Sequence, residues 1–164
     1  KVNMQLILNK SVGYLYSIEK GGPGSGSWEG PADPRFPRDS ILEVEPFTNA
    51  DPKVYGGGNY AVKDKNGKEL ASATVVFHYK DETYDFSGFI KAKTAVIDQI
   101  QINDEKSRGK GQGSSLLNKI EKDAVEAGMI KIRATHVEDN HFFEKNGYSD
   151  VPHTGGRQME KSLK

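Results

Sequence analysis

The residues whose types and spacing most clearly indicate chemistry form the stretch Arg108–Gly113, in which three glycines alternate with polar and basic side chains. A strand-like run, Thr94–Ile102, precedes this glycine loop, and an amphipathic helix-like run begins at Ser114. The first amides of a helix lack partners within the helix, and the helix dipole adds about half a positive charge there. Glycine lets an anion approach the backbone without meeting a Cβ atom. This order of elements predicts a binding site for the diphosphate of a nucleotide-bearing cofactor.

Two common glycine-loop motifs do not fit the stretch. A P-loop requires G-x-x-x-x-G-K-[ST], and no Lys-Ser or Lys-Thr pair follows Gly113. A Rossmann fingerprint requires G-x-G-x-x-G early in the chain, whereas the spacing here is G-x-G-x-G and several predicted strands come first. The cofactor must therefore be sought outside these two classes.

Composition sets the outer bounds on function. The 164 residues predict a single domain spanning the whole chain, with a formal net charge of +0 that disfavours nucleic acid as the main partner. The absence of cysteine excludes disulfides, thiolate metal sites and a cysteinyl intermediate, and is compatible with a reducing, cytoplasmic location. The apolar runs are too short for a membrane helix, so no membrane partner is expected. The four histidines show no metal-ligand spacing.

The first third of the chain is predicted to be loop-rich. Val2–Leu8 has the composition of a strand, and Val12–Ile18 either continues that strand or forms a second one. Gly21–Asp39 is rich in Gly, Pro and Ser, which disfavours both regular helix and central strand. This segment is either a loop that covers the substrate or a mobile excursion. One short helix or strand is expected in Ser40–Pro46, and Tyr55–Gly58 is interpreted as a second cluster of structure breakers.

The rest of the chain has a clear periodicity. The predicted elements are a strand at Asn59–Asp64, a type I′ turn at Asn66-Gly67, a strand at Glu69–Tyr79, a polar connection at Asp81–Lys93, a strand at Thr94–Ile102, a helix at Ser114–Ala127 ended by Gly128, a strand at Met129–Val137, a short helix at Asn140–Asn146 closed by Gly147, and a final hairpin in Val151–Lys164 with a turn at Thr154–Gly156 and Arg157–Leu163 as its last strand. A strand–helix–strand unit makes its two strands parallel neighbours. The fold class is therefore α+β, with a mixed sheet rather than a doubly wound one.

The glycine loop also matches a third motif. Arg108, Gly111 and Gly113 fit R/Q-x-x-G-x-G/A, the acetyl-CoA signature of the GNAT superfamily of acyl-CoA-dependent N-acyltransferases, and the flanking "GSSLL", "NHFFEKNGY" and "MEKSL" segments are similar to that family. The resemblance covers residues 59–163. Residues 1–58 diverge from the family, which would have two helices there, and form a candidate cover for the acceptor site. The resemblance implies a central, mostly antiparallel sheet with flanking helices, in which the two parallel strands splay apart.

The resemblance also implies the co-substrate and its contacts. Acetyl-CoA would place its pyrophosphate on the amides of Arg108–Ser114 and its pantetheine arm between the splayed strands, pairing with the first of them. The amide of Ile102 would donate to the thioester oxygen and stabilise an oxyanion. The residues predicted to bind the cofactor are Gln101, Ile102, Asn103, Arg108, Gly109, Lys110, Gly111, Gln112, Gly113, Ser114, Asn140 and Phe143.

The catalytic residues are less clearly indicated. The family's proton-donating aromatic, often Tyr, falls on Phe143, which has no proton to give, so Tyr148, His136 or water must protonate the departing thiolate. An alkyl ammonium has a pKa of roughly 10.4, so a base or a water chain must first remove a proton from the acceptor. Asp98 is the one carboxylate in the cofactor strand and a candidate for that base. The predicted catalytic residues are Asp98, His136 and Tyr148.

Three functions remain open on the sequence. The first is an N-acetyltransferase that moves an acetyl group from acetyl-CoA to a primary amine of a small molecule or peptide by direct attack, with homodimerisation as a further expectation. The second is a non-catalytic CoA-binding or regulatory module on the same fold, which the missing Tyr favours. The third is a peptide- or nucleic-acid-binding α+β domain with an incidental glycine loop.

Overall fold

A computed structural model of the chain describes residues 28–32, 35–84, 88–103, 111–152 and 157–163. The strands expected at Val2–Leu8 and Val12–Ile18 lie outside these residues. The elements of the described part are β1 Trp28–Pro31, β2 Ile41–Pro46, β3 Tyr55–Lys63, β4 Glu69–His78, β5 Glu82–Tyr84, β6 Gly88–Ile90, β7 Thr94–Ile102, α1 Gln112–Glu126, β8 Lys131–Ala134, α2 Asn140–Lys145, β9 Ser149–Asp150 and β10 Met159–Ser162.

Eight of these strands form one sheet with the order β1-β2-β3-β4-β7-β8-β10-β9, and β5 and β6 pair separately. The pair of β7 and β8 is parallel, and the other neighbours are antiparallel. Helix α1 connects the two parallel strands. This mixed, mostly antiparallel sheet with helices confirms the predicted α+β class.

Helix α1 covers one face of the sheet. Its buried apolar residues pack with the alternate, inward-facing residues of the strands, and this core includes Leu116, Leu117, Ile120, Ala124, Val62, Ala73, Val75, Phe77, Ile97, Ile132 and Met159. A polar link crosses the same layer, since the Tyr60 hydroxyl of β3 donates to Asp123 Oδ2 of α1 at 2.7 Å. Burial raises the pKa of Asp123, against the opposing effect of Lys119, whose ammonium lies 2.8 Å from Asp123 Oδ1. The core therefore fixes the position of α1 and, with it, of the residues at its N-terminus.

The prediction that Gly21–Asp39 contains no regular strand is wrong for Trp28–Pro31, which forms β1. Pro31 and Gly30 are tolerated there because β1 is the edge of the sheet and needs hydrogen bonds on one side alone. Ser40–Pro46, left open between helix and strand, contains strand β2, which lies between β1 and β3.

Tyr55–Gly58 is also strand rather than a breaker cluster, since it opens β3. Its glycines allow close approach of neighbouring backbone. A Cβ atom on Gly57 would lie 2.3 Å from the Val75 carbonyl oxygen, and one on Gly58 would lie 2.2 Å from the Glu45 carbonyl oxygen. Glycine in a strand can mark such an approach as well as a break.

The hairpin predicted between the next two strands is present, but its turn differs. Gly67 has φ 85°, whereas Asn66 is not among the described residues with positive φ, so the turn is not type I′. The Asp64 carbonyl accepts from the Gly67 amide at 3.0 Å, and Asp64 Oδ1 accepts from the amides of Asn66 and Lys68 at 2.8 and 2.9 Å. The Asp64 side chain therefore organises the turn.

The remaining elements follow the prediction with shorter bounds. The strand Thr94–Ile102 is confirmed as predicted, and the helix begins two residues earlier than expected, at Gln112. Gly128 (φ 91°) and Gly147 (φ 94°) follow the two helix ends as expected. The predicted polar connection Asp81–Lys93 instead contains the β5–β6 hairpin. The predicted turn at Thr154–Gly156 lies outside the described residues.

Candidate active site

The parallel strands β7 and β8 pair over four residues and then separate. Thr94–Ile97 pair with Lys131–Ala134, and the Thr135 amide still donates to the Ile97 carbonyl at 3.0 Å. The next residue, His136, has φ 55°, in the left-handed region, and the Val137 amide donates instead to the Arg157 carbonyl at 3.1 Å. Strand β8 thus turns toward β10 at His136 and leaves the side of β7 beyond Ile97.

Strand β7 continues to Ile102 with β4 as its described partner. Its register with β4 shifts between Thr74 and Val75, where an extra residue, Asp98, stands between Ile97 and Gln99. After this bulge the Asn103 amide donates to the Leu70 carbonyl at 2.8 Å, on the β4 side. Because successive amides of a strand point to opposite sides, the Ile102 amide points to the open side. The bulge therefore turns the predicted oxyanion donor toward the gap between the strands.

The first turn of α1 lies beyond the end of β7. Gly111 is the N-cap residue with φ 82°, a conformation that favours glycine, and its carbonyl accepts the first helical bond from the Ser115 amide at 2.9 Å. No side chain in the described part of the chain caps the amides of Gln112, Gly113 and Ser114, and the first turn carries no acidic residue. This turn therefore offers three amide donors and the positive end of the dipole to an anion.

The two glycines of this turn make room for side chains of the chain itself. A Cβ atom on Gly111 would lie 3.2 Å from Cδ and Nε of Arg35, and a Cβ atom on Gly113 would lie 2.9 Å from Cε1 of Phe142. The prediction assigned these glycines to the approach of a phosphate alone. The structure adds that they allow Arg35 and Phe142 to pack against the helix start, while the amides remain available.

Helix α2 is joined to the first turn of α1. Asn146, its C-cap residue, donates from Nδ2 to Ser114 Oγ at 3.1 Å and to the Phe142 carbonyl at 2.8 Å. The ring of Phe142 also lies near Ile102, since a Cβ atom on Gly113 would lie 3.8 Å from Cγ1 of Ile102 as well. The end of β7, the start of α1 and α2 thus meet at one corner.

A carboxylate and an imidazole stand where β7 and β8 separate. Nδ1 of His136 lies 3.4 Å from Oδ1 of Asp98, and both side chains are largely exposed, at 74% and 60%. The Thr135 hydroxyl bridges the two strands, with Oγ1 3.3 Å from the Ile97 carbonyl and 3.4 Å from Asp98 Oδ1. The structure brings together two of the three predicted catalytic residues and leaves them accessible to a substrate.

The third predicted catalytic residue, Tyr148, is placed elsewhere. It is 3% exposed, and its hydroxyl donates to Glu121 Oε2 of α1 at 2.8 Å, while Lys161 Nζ binds the other oxygen of Glu121 at 3.0 Å. Burial, and then the Glu121 carboxylate, raises the pKa of Tyr148 well above its ordinary value. A hydroxyl held in this way under α1 does not serve as a proton donor in the gap, so its placement corrects that assignment.

Phe143 does not face the predicted cofactor site either. It is 5% exposed and packs edge-to-face against Phe142 and Tyr148, with ring centroids 5.0 and 5.3 Å apart. Its neighbour Phe142 contacts the helix start instead, so the cofactor-side aromatic is one residue earlier than predicted. The pair Phe142-Phe143 in the sequence leaves this choice open, because it depends on the rotation of a short helix.

The other predicted cofactor residues are spread along the same edge. Gln101 is exposed and accepts from Gln99 Nε2 at 3.2 Å, Asn103 Nδ2 contacts Glu69 Oε2 at 3.1 Å, and Asn140 begins α2. Arg108, Gly109 and Lys110 lie outside the described residues. The sequence interpretation missed Arg35, Phe142 and Asn146. The motif gave no signal for Arg35, which belongs to the divergent part of the chain.

Comparison with known proteins agrees with this geometry. The model of the acetyltransferase (GNAT) family matches residues 28–148. An acetyltransferase from Bacillus cereus is similar in structure, with a TM-score of 0.50, 24% identity, and coverage of 67% of this chain and 75% of that one. A protein assigned as an acyl-CoA N-acyltransferase from Klebsiella pneumoniae gives a TM-score of 0.51 at 18% identity, covering 71% and 78%. No curated protein sequence matches the chain.

The family match spans more than half of the chain, and the structural similarities support the same fold. The chain therefore belongs to the acetyltransferase (GNAT) family. Acetyl-CoA, the co-substrate expected from the sequence, fits this family. Among the described residues, no helix combines the length and apolar character needed to cross a lipid bilayer.

Proposed function

We propose that the protein is an N-acetyltransferase that transfers the acetyl group of acetyl-CoA to a primary amine by direct attack. The observation that carries this proposal is the separation of β7 and β8 at His136, which leaves the side of β7 from Asp98 to Ile102 open and leads to the N-terminus of α1. A pantetheine arm in this gap reaches the Ile102 amide with its thioester end, while its diphosphate end reaches the amides of Gln112–Ser114.

Asp98 and His136 supply the proton-transfer groups. The carboxylate 3.4 Å from Nδ1 holds the imidazole in the orientation that leaves Nε2 for the substrate. Nε2 accepts a proton from the attacking ammonium, directly or through one water molecule, and the amine then attacks the thioester carbon. The Ile102 amide stabilises the negative oxygen that forms, because it points to the gap.

The departing sulfur then needs a proton when the carbon–sulfur bond breaks. The imidazolium of His136, formed in the first step, returns its proton to the thiolate, so the atoms and charges balance without a tyrosine. Since Phe143 has no proton and Tyr148 is bound to Glu121, this route uses the one titratable pair at the separation point. The acceptor is a small molecule or a peptide, and its amine approaches the exposed side of this pair.

The test is amine-dependent release of CoA from acetyl-CoA, followed with a thiol reagent over a panel of polyamines, amino acids and lysine peptides. His136→Asn is the informative variant, because Asn tolerates the left-handed conformation and so preserves the turn. We expect kcat to fall about 10²- to 10⁴-fold with little change in CoA affinity. Asp98→Asn should reduce kcat less, since it orients the imidazole without replacing it.

His141→Asn serves as the matched control, because His141 is 95% exposed and contacts Glu144 of its own helix. An unchanged kcat in His136→Asn would contradict the proposed base. Tight CoA binding without CoA release for any amine would favour the alternative from the sequence, a non-catalytic CoA-binding or regulatory module. The absence of the family's usual Tyr at Phe143 is the observation that supports that alternative.

A further inference from the structure

A basic side chain from the divergent part of the chain lies on the start of α1. Cδ and Nε of Arg35 are both 3.2 Å from the position that a Cβ atom on Gly111 would occupy. Gly111 is the N-cap of α1, and the unpaired amides of the first turn follow it directly. Arg35 therefore stands at the positive end of the helix dipole, where its own charge is not favoured unless an anion is also bound.

Three contacts hold Arg35 in this unfavourable place. The next residue, Phe36, is 5% exposed and belongs to the hydrophobic core. Gln112, which is 4% exposed, donates from Nε2 to the Arg35 carbonyl at 2.8 Å. The Ala32 amide donates to the Ser40 carbonyl at 3.0 Å, which closes the turn that carries Arg35. The position of Arg35 is thus fixed by the core and by the helix start itself.

We propose that Arg35 binds the diphosphate of acetyl-CoA together with the amides of Gln112–Ser114. This inference rests on the proposed function. A guanidinium matches the paired oxygens of a phosphate, and an anion held between it and the helix start satisfies both positive groups at once. Gly111 is required here because a side chain at that position would displace Arg35.

Gln112 is a positioning residue in this arrangement. Its buried side chain acts on the cofactor through Arg35, because its amide group is bound to the Arg35 backbone and not to the anion site. The variable position between the two glycines of the motif thus ties the loop to residues 32–40. The segment that diverges from the family supplies a cofactor contact of its own.

The experiment measures the dissociation constants of CoA and dephospho-CoA by calorimetry for Arg35→Ala. We expect both to rise by about 10- to 100-fold, the loss of charge-assisted hydrogen bonds to the diphosphate. The two ligands share the diphosphate and differ in the 3′-phosphate. A loss confined to CoA would overturn the assignment, because Arg35 would then bind the 3′-phosphate.

Arg38→Ala is the matched control, because Arg38 is exposed in the same turn and is expected to change both constants less than twofold. Equal losses in the two variants would indicate a general charge effect and overturn the proposal, as would unchanged affinity in Arg35→Ala. Gln112→Ala should weaken binding, and Arg35→Ala/Gln112→Ala should bind no more weakly than Arg35→Ala alone. Failure of the unmodified protein to bind CoA would instead refute the proposed function.

Discussion

Replacing Asn146 by alanine tests whether the contact between the two helices shapes the cofactor site. One amide nitrogen of Asn146 donates to Ser114 Oγ at 3.1 Å and to the Phe142 carbonyl at 2.8 Å, which uses both of its protons. A net hydrogen bond contributes about 0.5–1.5 kcal/mol, so the two together contribute about 1–3 kcal/mol. Because Asn146 is half-buried, we expect the lower half of this range, about 1–2 kcal/mol, in the free energy of unfolding.

The same change should also weaken cofactor binding. While the Ser114 hydroxyl accepts from Asn146, its own proton is directed to another acceptor, and the neighbouring amides face the predicted diphosphate. Loss of this orientation, and of the Phe142 position, should raise the KM of acetyl-CoA about three- to tenfold with kcat nearly unchanged. Urea unfolding and steady-state kinetics measure the two effects separately.

A double-mutant cycle with Ser114→Ala isolates the contact. We expect a coupling energy of about 0.5–1.5 kcal/mol in the free energy of CoA binding. Asn118→Ala, an exposed asparagine on α1, is the control and should change neither stability nor KM appreciably. If Asn146→Ala lowers stability but leaves KM unchanged, the asparagine is a helix cap without influence on the site, and the reasoning is refuted.

Three further changes follow from the structure. Tyr60→Phe removes the donor to buried Asp123, which should lower the free energy of unfolding by about 1.5–3 kcal/mol in urea titration; a loss below about 0.5 kcal/mol would contradict a structural role for this bond. Burial lowers the pKa of His78 to about 4, against the opposing effect of Glu82. Since the unfolded residue titrates near ~6.5, it binds more protons below that pH, and stability should fall between ~pH 6.5 and about 4. His78→Leu should remove up to ~1.4 kcal/mol per pH unit of that slope, and an unchanged slope would be the contrary result. Gly113→Ala places a Cβ atom 2.9 Å from Phe142 Cε1, so Phe142 must move and the KM of acetyl-CoA should rise; equal kinetics would show that the ring does not border the cofactor.

Elements whose core-facing pattern is local were predictable from the sequence. Strand β7 was predicted at its observed bounds, because Ala95 and Ile97 alternate with outward residues before the chain turns. Helix α1 was recognised from Leu117, Ile120 and Ala124, which are buried at helical spacing. In these segments the local pattern and the tertiary environment agree, so sequence reasoning is sufficient.

Elements fixed by distant partners were not predictable in the same way. The Tyr55–Gly58 stretch resembles a break, yet its glycines are needed because backbone of β2 and β4 approaches them within 2.2–2.3 Å of a Cβ position. The β1 strand forms within a Gly- and Pro-rich segment because an edge is available beside β2. Local propensity is a weak guide where the neighbouring strand decides the conformation.

The candidate site shows the same division. The glycine loop identified the helix start, since a motif is a local feature, but Arg35 reaches Gly111 from 76 residues away and has no counterpart in the motif. The choice between Phe142 and Phe143 depends on how α2 rests on α1, which Asn146 fixes through Ser114. Residue types and spacing therefore locate the site, while tertiary contacts decide which side chains complete it.

His136 shows why the catalytic residues were the hardest part to infer. Its left-handed backbone conformation turns β8 away from β7, and the same turn places its imidazole 3.4 Å from Asp98. Asp98 reaches this point because the β7 bulge inserts it between Ile97 and Gln99. The opening of the gap and the pairing of its two titratable side chains thus arise from the same two backbone irregularities. Neither irregularity has a local sequence signal, since histidine is one of several residues tolerated at positive φ and a bulge is defined by its partner strand.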